Sequence, residues 1–518
     1  MTPRTRLLLG AAGGIAVVTL AARVVGFGRV AVLSRTLGTS CVGDTYQAAN
    51  YLPNVVFEVV AGGALAALVV PLLAGALSSG DRETASRTAS ALLTWTVAVL
   101  VPVALLGMLT APLLIRALLG SDPTCAGAVD VGSRMLVVFM PQVVLYGVGI
   151  VLAGILQAHR RFLGPALAPL LSSLVVIGTY LLYASTGRVE SAEALSRSQE
   201  LVLSVGTTLG VAVLSLGLLA PLRGTGLRLR PTLGFPPGVA VRARRLAAGG
   251  VATLAAQQLA LVVALRLAAG GREGDVIVFT VATALFLLPW AVLAVPLATS
   301  AFPSLSASAE AGDEQEYGEV AGRATRSVLL ATTGAAAVLA VAALPVAQLL
   351  VRGAPGVESS AELARATAAF APGLVGYGLV ALLARALYAR GAARAATAAT
   401  VAGWLVVAVA DLVLIASFPD ADRVLLLGAG NSIGVSVAGV LLLLGVRRAA
   451  GAPAMSGALR SGAVGALAAG IAVGAGLLVP DGGPLLMSLV LNAGVAAVAF
   501  LVVARLLDAS SLRELLRA

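Results

Sequence analysis

The chain has 518 residues, of which 59% are hydrophobic and 11% charged. Its mean hydropathy of +0.99 implies more apolar surface than a water-soluble fold can cover, so a multi-spanning membrane protein is expected. The net charge of +11 rests entirely on arginine, spread over loops without a dense basic run or interleaved aromatics, so no nucleic-acid partner is expected.

Apolar segments long enough to span a bilayer are predicted at 8–37, 44–76, 84–110, 128–157, 163–184, 200–221 and 243–270. They continue at 275–305, 325–351, 361–389, 394–417, 424–446, 457–479 and 484–507, fourteen in all. The opening "MTPRTRLLLGAAGGIAVVTLAA" imitates a secretory signal peptide, but its apolar run continues past a normal signal core and on into arginines. It is read as the first span. With Arg4 and Arg6 in the cytoplasm, every second loop should be basic. His159-Arg160-Arg161, the Arg223–Arg245 group, Arg390 with Arg394, Arg447 with Arg448, and Arg513 with Arg517 all fall on that side. The acidic "AGDEQEYGEV" loop does too, and acidic residues count for little in this rule. Both termini are therefore expected in the cytoplasm.

An internal repeat is visible. "LYGVGIVLAGILQAHRRF" (145–162) aligns with "GYGLVALLARALYARGAA" (376–393), placing Tyr146-Gly147 on Tyr377-Gly378 at an offset of 231. Near that offset Pro71 aligns with Pro303. Six spans separate the matching elements, an even number, so the halves enter the membrane in the same sense and a site is expected between them. The expected fold class is an all-α polytopic membrane protein of about fourteen transmembrane helices, with two parallel six-helix repeats plus two C-terminal helices. The lobes would be residues 1–225 and 226–450, with the two additional spans in 451–518.

The first span carries Arg23, Arg29 and Arg35 at intervals of six. Each costs roughly 2.5–3.5 kcal/mol at a bilayer centre on insertion scales. Six residues turn an ideal helix through about 240°, so the three cannot share one face of a straight helix. Gly26 and Gly28 are candidate points for a bend. Arg35, near the outer end, can snorkel to the interface. Arg23 and Arg29 lie deeper, about 9 Å apart along the axis, a spacing that suits a pyrophosphate or another polyanion.

Asp44 opens the second span, and "YLPNVVFEVV" follows with Pro53, Asn54 and Glu58. Pro53 breaks the helix. Glu58 is a candidate partner for a first-span arginine or for a coupling cation. Arg266, Arg385 and Asp411 are further intramembrane charges, open to a functional or a pairing role. Without lysine there is no Walker-A loop, so the chain is not an ATP-driven motor. The single His159 lacks metal partners, and no catalytic triad or CxxC pair is present. Cys41 and Cys125 both fall outside, where a disulfide is permitted, and the sequence does not decide their pairing.

Taken together, "ARVVGFGRVAVLSRTLG", "DTYQAANYLPNVVFEVVAGGAL", "VVPLLA", "AGILQAHRRFLGPALAPLL" and "LLPWAVLAVPLATSAFPSLSA" resemble the MurJ/MviN lipid II flippases of the multidrug/oligosaccharidyl-lipid/polysaccharide exporter superfamily. The resemblance covers the twelve-helix core, and fourteen helices fit MurJ in particular. It implies a two-lobed flippase that moves lipid II, the undecaprenyl-pyrophosphate peptidoglycan precursor, from the inner to the outer leaflet by alternating access. Cationic cavity residues would hold the pyrophosphate and sugar, and the two added helices would form a groove for the lipid tail.

By motif position, Arg23 matches the arginine of the family's S-R-x-x-G-F pattern, Arg29 the one after the G-F, Asp44 the acid opening helix 2, and Pro53-Asn54 the P-N pair. Arg23, Arg29, Asp44 and Asn54 are thus the expected substrate-binding residues, with Pro53, Glu58, Arg266 and Arg385 as additional cavity candidates. Two family arginines are replaced, by Phe57 and Ala284.

The expected function is lipid II flipping in the bacterial cytoplasmic membrane, without a catalytic residue or metal. No cofactor is expected, with a monovalent cation or the membrane potential biasing the cycle. Membrane lipids and cell-wall synthesis proteins are the further partners. The alternatives left open are another polyprenyl-pyrophosphate glycan as cargo, a cation-coupled drug antiporter using Asp44, Glu58 and Asp411, and a transport-dead scaffold.

Overall fold

The structure, a computed structural model, describes residues 3–59, 66–120, 125–236, 239–351, 360–451, 456–479 and 484–517. All regular structure among the described residues is helical. The chain divides into two compact units, residues 1–258 with 272–276 and residues 259–271 with 277–518.

In the first unit, α1 (Pro3–Thr36) is followed by α2 (Cys41–Val56), α3 (Ala66–Ser78), α4 (Arg82–Leu109) and α5 (Ala111–Leu119). Then come α6 (Ala128–Phe139), α7 (Pro141–Ala158), α8 (Leu163–Ser185), α9 (Arg197–Leu216) and the short α10 (Leu219–Leu222). Helix α11 (Val239–Ala269) carries the chain from the first unit into the second. The second unit continues with α12 (Asp275–Pro289), α13 (Val295–Ala311), α14 (Glu314–Val351), α15 (Ser360–Phe370) and α16 (Gly373–Ala389). It closes with α17 (Ala393–Ser417), α18 (Arg423–Ala450), α19 (Ala458–Leu477), α20 (Leu485–Leu507) and α21 (Ala509–Arg517).

Each of the fourteen predicted segments contains helix. Twelve helices among the described residues are long and apolar enough to cross a membrane, and the bent pair α15–α16 makes a thirteenth. The remaining segment, 44–76, comprises α2 and α3, and its residues 60–65 lie outside the described residues. So do the side chains of Arg4, Arg6, Arg242, Arg244 and Arg245.

Local chemistry sets the helix starts. Ser40 caps α2 by accepting from the Gly43 amide at 3.2 Å. Asp81 does the same for α4 from Thr84 at 2.9 Å, satisfying donors that a first turn otherwise leaves unpaired. At the loop that precedes α4, these hydrogen bonds hold the Asp81 carboxyl below its usual range. A disulfide joins Cys41 to Cys125 with their Cα atoms 5.6 Å apart, tying the start of α2 to the approach to α6, a spacing ordinary for a disulfide.

The repeat is built into the packing. In the first unit α3 packs on α7, α4 on α7, α7 on α9 and α8 on α9; in the second α13 packs on α16, α14 on α16, α16 on α18 and α17 on α18. The second helix of each half is interrupted in the same way. A π turn at 57–59 follows Pro53, and another at Trp290–Ala294 follows Pro289. Proline removes a ladder donor and clashes with the preceding turn, and an extra residue in the turn absorbs the mismatch. At each π turn an aromatic ring rests on the repeat tyrosine: Phe57 on Tyr146 at 4.4 Å and Trp290 on Tyr377 at 4.8 Å between centroids. The adjacent Gly147 and Gly378 each admit a threonine methyl from the neighbouring helix, Thr96 and Thr332 respectively.

Helices 19 to 21 complete the second unit. α19 and α20 pack on α14 and on each other, joined by a cluster that includes Leu330, Ala337, Ala468 and Phe500. The terminal α21 is fixed to α14 by Arg326, whose Nη2 donates to both Glu514 carboxylate oxygens at 2.9 Å.

Candidate functional site

Helix α1 is continuous through Gly26 and Gly28, so the anticipated bend does not interrupt its hydrogen-bond ladder. Along an unbroken helix each step of six residues turns about 240°, and the arginines therefore project in different directions. Arg23 and Arg29 are both exposed, and neither makes an ion pair or hydrogen bond among the described residues. The charge of Arg29 is felt at the hydroxyls of Tyr46, Tyr146 and Tyr180. No such interaction is found at Arg23 among the described residues. Among the described residues Arg29, and not Arg23, stands within electrostatic reach of these hydroxyls.

Four further helices supply the polar groups of this region. Helix α1 lies against α8, which supplies Tyr180. Tyr46 of α2 is fully buried, its hydroxyl 3.0 Å from that of Tyr180 and 2.7 Å from Thr207 Oγ1 of α9. On the next turns of α2, the Asn54 amide nitrogen donates to the Asn50 carbonyl at 2.7 Å while its Oδ1 accepts from the Tyr146 hydroxyl at 3.1 Å. Pro53 is buried in the last turns of α2, where it places the π turn. Glu58 sits within that turn, half-buried and without a hydrogen bond among the described residues, and its charge reaches Tyr51 and Tyr146. Phe57, in place of a family arginine, covers the face of Tyr146. One guanidinium thus lies within electrostatic reach of two sets of polar neighbours, the buried Tyr46–Tyr180–Thr207 cluster and the Tyr146–Asn54 pair. Such a set can grip an anion by charge and a sugar by hydrogen bonds and ring contact.

The other sequence candidates fall elsewhere. Asp44 is 7% exposed, and its Oδ2 accepts from the Gly274 amide at 2.7 Å, which anchors the 272–276 segment to the start of α2. Asp44→Ala would leave that buried donor unpaired, and a loss of about 1–3 kcal/mol is expected. Thermal unfolding in detergent checks this against Arg29→Ala, for which no loss is expected. Arg266 stands in the last turn of α11, exposed, beside Gly270, where an added methyl would lie 3.3 Å from its Nη1 and 2.9 Å from Arg423 Nη1. Arg385 folds back on its own helix and donates to the Ala381 carbonyl. Ala284 lies half-buried in α12.

Sequence reasoning passed over Tyr46, Tyr180 and Thr207 as site residues, since each is an ordinary helix residue until three helices meet. It did single out Tyr146, but only as a marker of the repeat. In the second unit, a groove of about 530 Å³ opens between α13, α14 and α20, lined by residues such as Leu293, Pro296, Ala335, Val338, Ala497 and Phe500.

Residues 33–489 match the sequence profile of the family described as "Lipid II flippase MurJ". The chain belongs to the MurJ family. It is 28% identical over 376 residues to the probable lipid II flippase MurJ of Rhizobium tropici, covering 72% of this chain and 69% of that one. To the lipid II flippase MurJ of Burkholderia cenocepacia it is 27% identical over 438 residues, covering 83% and 82%. Its fold superposes on a MurJ solved in an inward closed conformation with a TM-score of 0.78, at 16% identity, over 95% of this chain and 98% of that one. An inward-facing multidrug resistance MATE transporter of the MOP superfamily superposes with a TM-score of 0.69 at 16% identity, over 85% and 99%. MurJ-family membership makes the chain a multi-pass membrane protein of the flippase class.

Proposed function

We propose that the chain carries lipid II from the inner to the outer leaflet of the cytoplasmic membrane by alternating access, with Arg29 as the principal contact to the pyrophosphate. The observation that carries the assignment of the site is an exposed guanidinium on α1 without a carboxylate partner among the described residues, next to a tyrosine–asparagine network. A cation kept in an apolar span without a partner is costly, and an anionic cargo supplies the missing charge. Arg23 is the second cationic contact, engaged when the headgroup moves along α1. Tyr146 and Asn54 meet the sugar. The apolar groove between α13, α14 and α20 receives the lipid tail. Both termini face the cytoplasm, as the arginine asymmetry requires.

Depleting the protein in cells where it is the sole flippase should remove lipid II from the outer leaflet, measured with a periplasm-acting enzyme that cleaves exposed lipid II. Unchanged exposure would exclude lipid II as cargo.

The coupling ion is assigned to Asp411 of α17. Its carboxylate is 1% exposed, and neither oxygen has a hydrogen bond among the described residues. The backbone of α18 passes so close that only a glycine fits at 430, and the Asn431 amide nitrogen is likewise unpartnered. A buried carboxylate in that state calls for a proton or a monovalent cation. Asp411→Asn should abolish stimulation of transport by an imposed sodium or proton gradient in proteoliposomes while preserving the fold. Full stimulation in the variant would overturn the assignment. A drug antiporter of cationic cargo is disfavoured by the same Arg29 that an anionic cargo requires.

A further inference from the structure

A second cationic site lies in the first unit, remote in sequence from α1. Residues 227–236 form no regular structure and run along α4. The amides of Arg228, Arg230 and Thr232 donate to Ser86 Oγ at 3.3 Å, Ser90 Oγ at 3.0 Å and Thr94 Oγ1 at 3.0 Å. Trp95 Nε1 completes the ladder by donating to the Leu233 carbonyl at 3.0 Å. The register has a simple origin. Four residues of helix rise about 6 Å, and two residues of extended chain advance about 6.6 Å, so alternate amides of the strap meet hydroxyls at every fourth helix position.

The same alternation sorts the side chains. Leu227, Leu229 and Phe235 pack on the core formed by α3, α4 and α7, which sends Arg228 and Arg230 outward. There they meet Arg82 and Arg87 of α4 around a cavity of about 520 Å³, also lined by Glu83 and Thr232. Four arginines against one carboxylate leave three positive charges on the lining, and none of the four guanidinium groups has an ion pair or hydrogen-bonded acceptor among the described residues. The positive-inside rule accounts for basic residues on this side. It does not require arginines from two separate elements to converge on one concavity with a fixed register.

We propose that this cavity is a binding site for a phosphate-bearing anion, which clamps the strap to α4. Guanidinium forks match phosphate oxygens in pairs, and the volume suits a small polar headgroup. Two sources carry that chemistry: the headgroup of an anionic phospholipid in the adjacent leaflet, or a soluble polyphosphate.

The test uses full-length protein carrying Arg23→Ala and Arg29→Ala, so that binding at the α1 site does not contribute. Pyrophosphate is titrated in detergent by calorimetry. Retention of phosphatidylglycerol is measured by native mass spectrometry after extraction from equimolar phosphatidylcholine–phosphatidylglycerol vesicles. The Arg228→Gln/Arg230→Gln variant should weaken the probe that binds by about tenfold or more. Arg447→Gln/Arg448→Gln, which removes the same charge from exposed positions on α18, should bind as the parent does. Retained phosphatidylglycerol that pyrophosphate does not displace identifies the lipid as the source; pyrophosphate binding without lipid retention identifies the soluble anion. Binding of neither probe, equal binding by the strap variant, or an equal loss in the α18 control would overturn the proposal. Because Arg23 and Arg29 are already absent, none of these results bears on the lipid II reading.

Discussion

Arg29→Ala should abolish measurable lipid II exposure on the outer leaflet, with a fall in transport of about a hundredfold or more, while the protein unfolds at the parental temperature. The magnitude follows from losing two charge-assisted hydrogen bonds to a phosphate, each worth about 1.5–3 kcal/mol. The unchanged stability follows from the absence of any ion pair or hydrogen bond to Arg29 among the described residues, since exposed positions of this kind usually alter stability by less than about 0.5 kcal/mol. Arg29→Lys separates charge from geometry. It preserves the point charge and loses the planar fork, so an intermediate rate is expected. Enzymatic cleavage of exposed lipid II in cells, paired with thermal unfolding of the purified variants, reads both quantities. Full transport by Arg29→Ala would remove this residue from the site.

Gly376→Ala should produce the largest loss of stability from a single methyl. In α16, a Cβ at this position would lie 2.4 Å from the Val435 carbonyl oxygen and 2.6 Å from the Ser436 amide nitrogen. Both are backbone atoms of α18, so no rotamer change can relieve the overlap and the two helices must separate. Membrane helices gain little from burying apolar surface away from lipid and depend on this close approach. Overpacking of such a contact is expected to cost about 2–3 kcal/mol, read as a lowered unfolding temperature in detergent. Gly494→Ala on α20 is the matched control, because an added methyl there meets nothing within 4 Å. No loss is expected at that site, since alanine is the better helix former.

The repeat shows how far linear pattern carries and where it stops. Tyr146-Gly147 and Tyr377-Gly378 were recognisable as equivalents because a tyrosine and a glycine recur in register within apolar helices. Their common purpose was not. Phe57 and Trp290 share no side-chain chemistry beyond an aromatic ring, yet each lies in a π turn downstream of a proline and stacks on the repeat tyrosine. Equivalence of this kind is held in backbone geometry, which tolerates changes of residue type that hide it from alignment.

Asp44 and Arg266 illustrate the opposite limit. Both are charges in or at the edge of apolar segments, and on sequence alone such a charge reads as part of a site. Asp44 instead satisfies a backbone donor at Gly274, 230 positions away. Arg266 stands at a helix end beside Arg423. Whether an intramembrane charge faces cargo or a peptide group depends on which loop returns to it, and no local pattern encodes that return.

By itself, the sequence determined the membrane class, the spans and the twofold repeat, and it set Arg23 and Arg29 apart as intramembrane cations. These follow from hydropathy and from the cost of desolvating charge, which act residue by residue along the chain. Only the tertiary structure decided that Tyr46, Tyr180 and Thr207 form one hydroxyl cluster, and that the strap aligns its amides with α4. The hydroxyl cluster depends on how α2, α8 and α9 are rotated against one another, and the strap on a match of rise to α4, both of which join residues far apart in the chain.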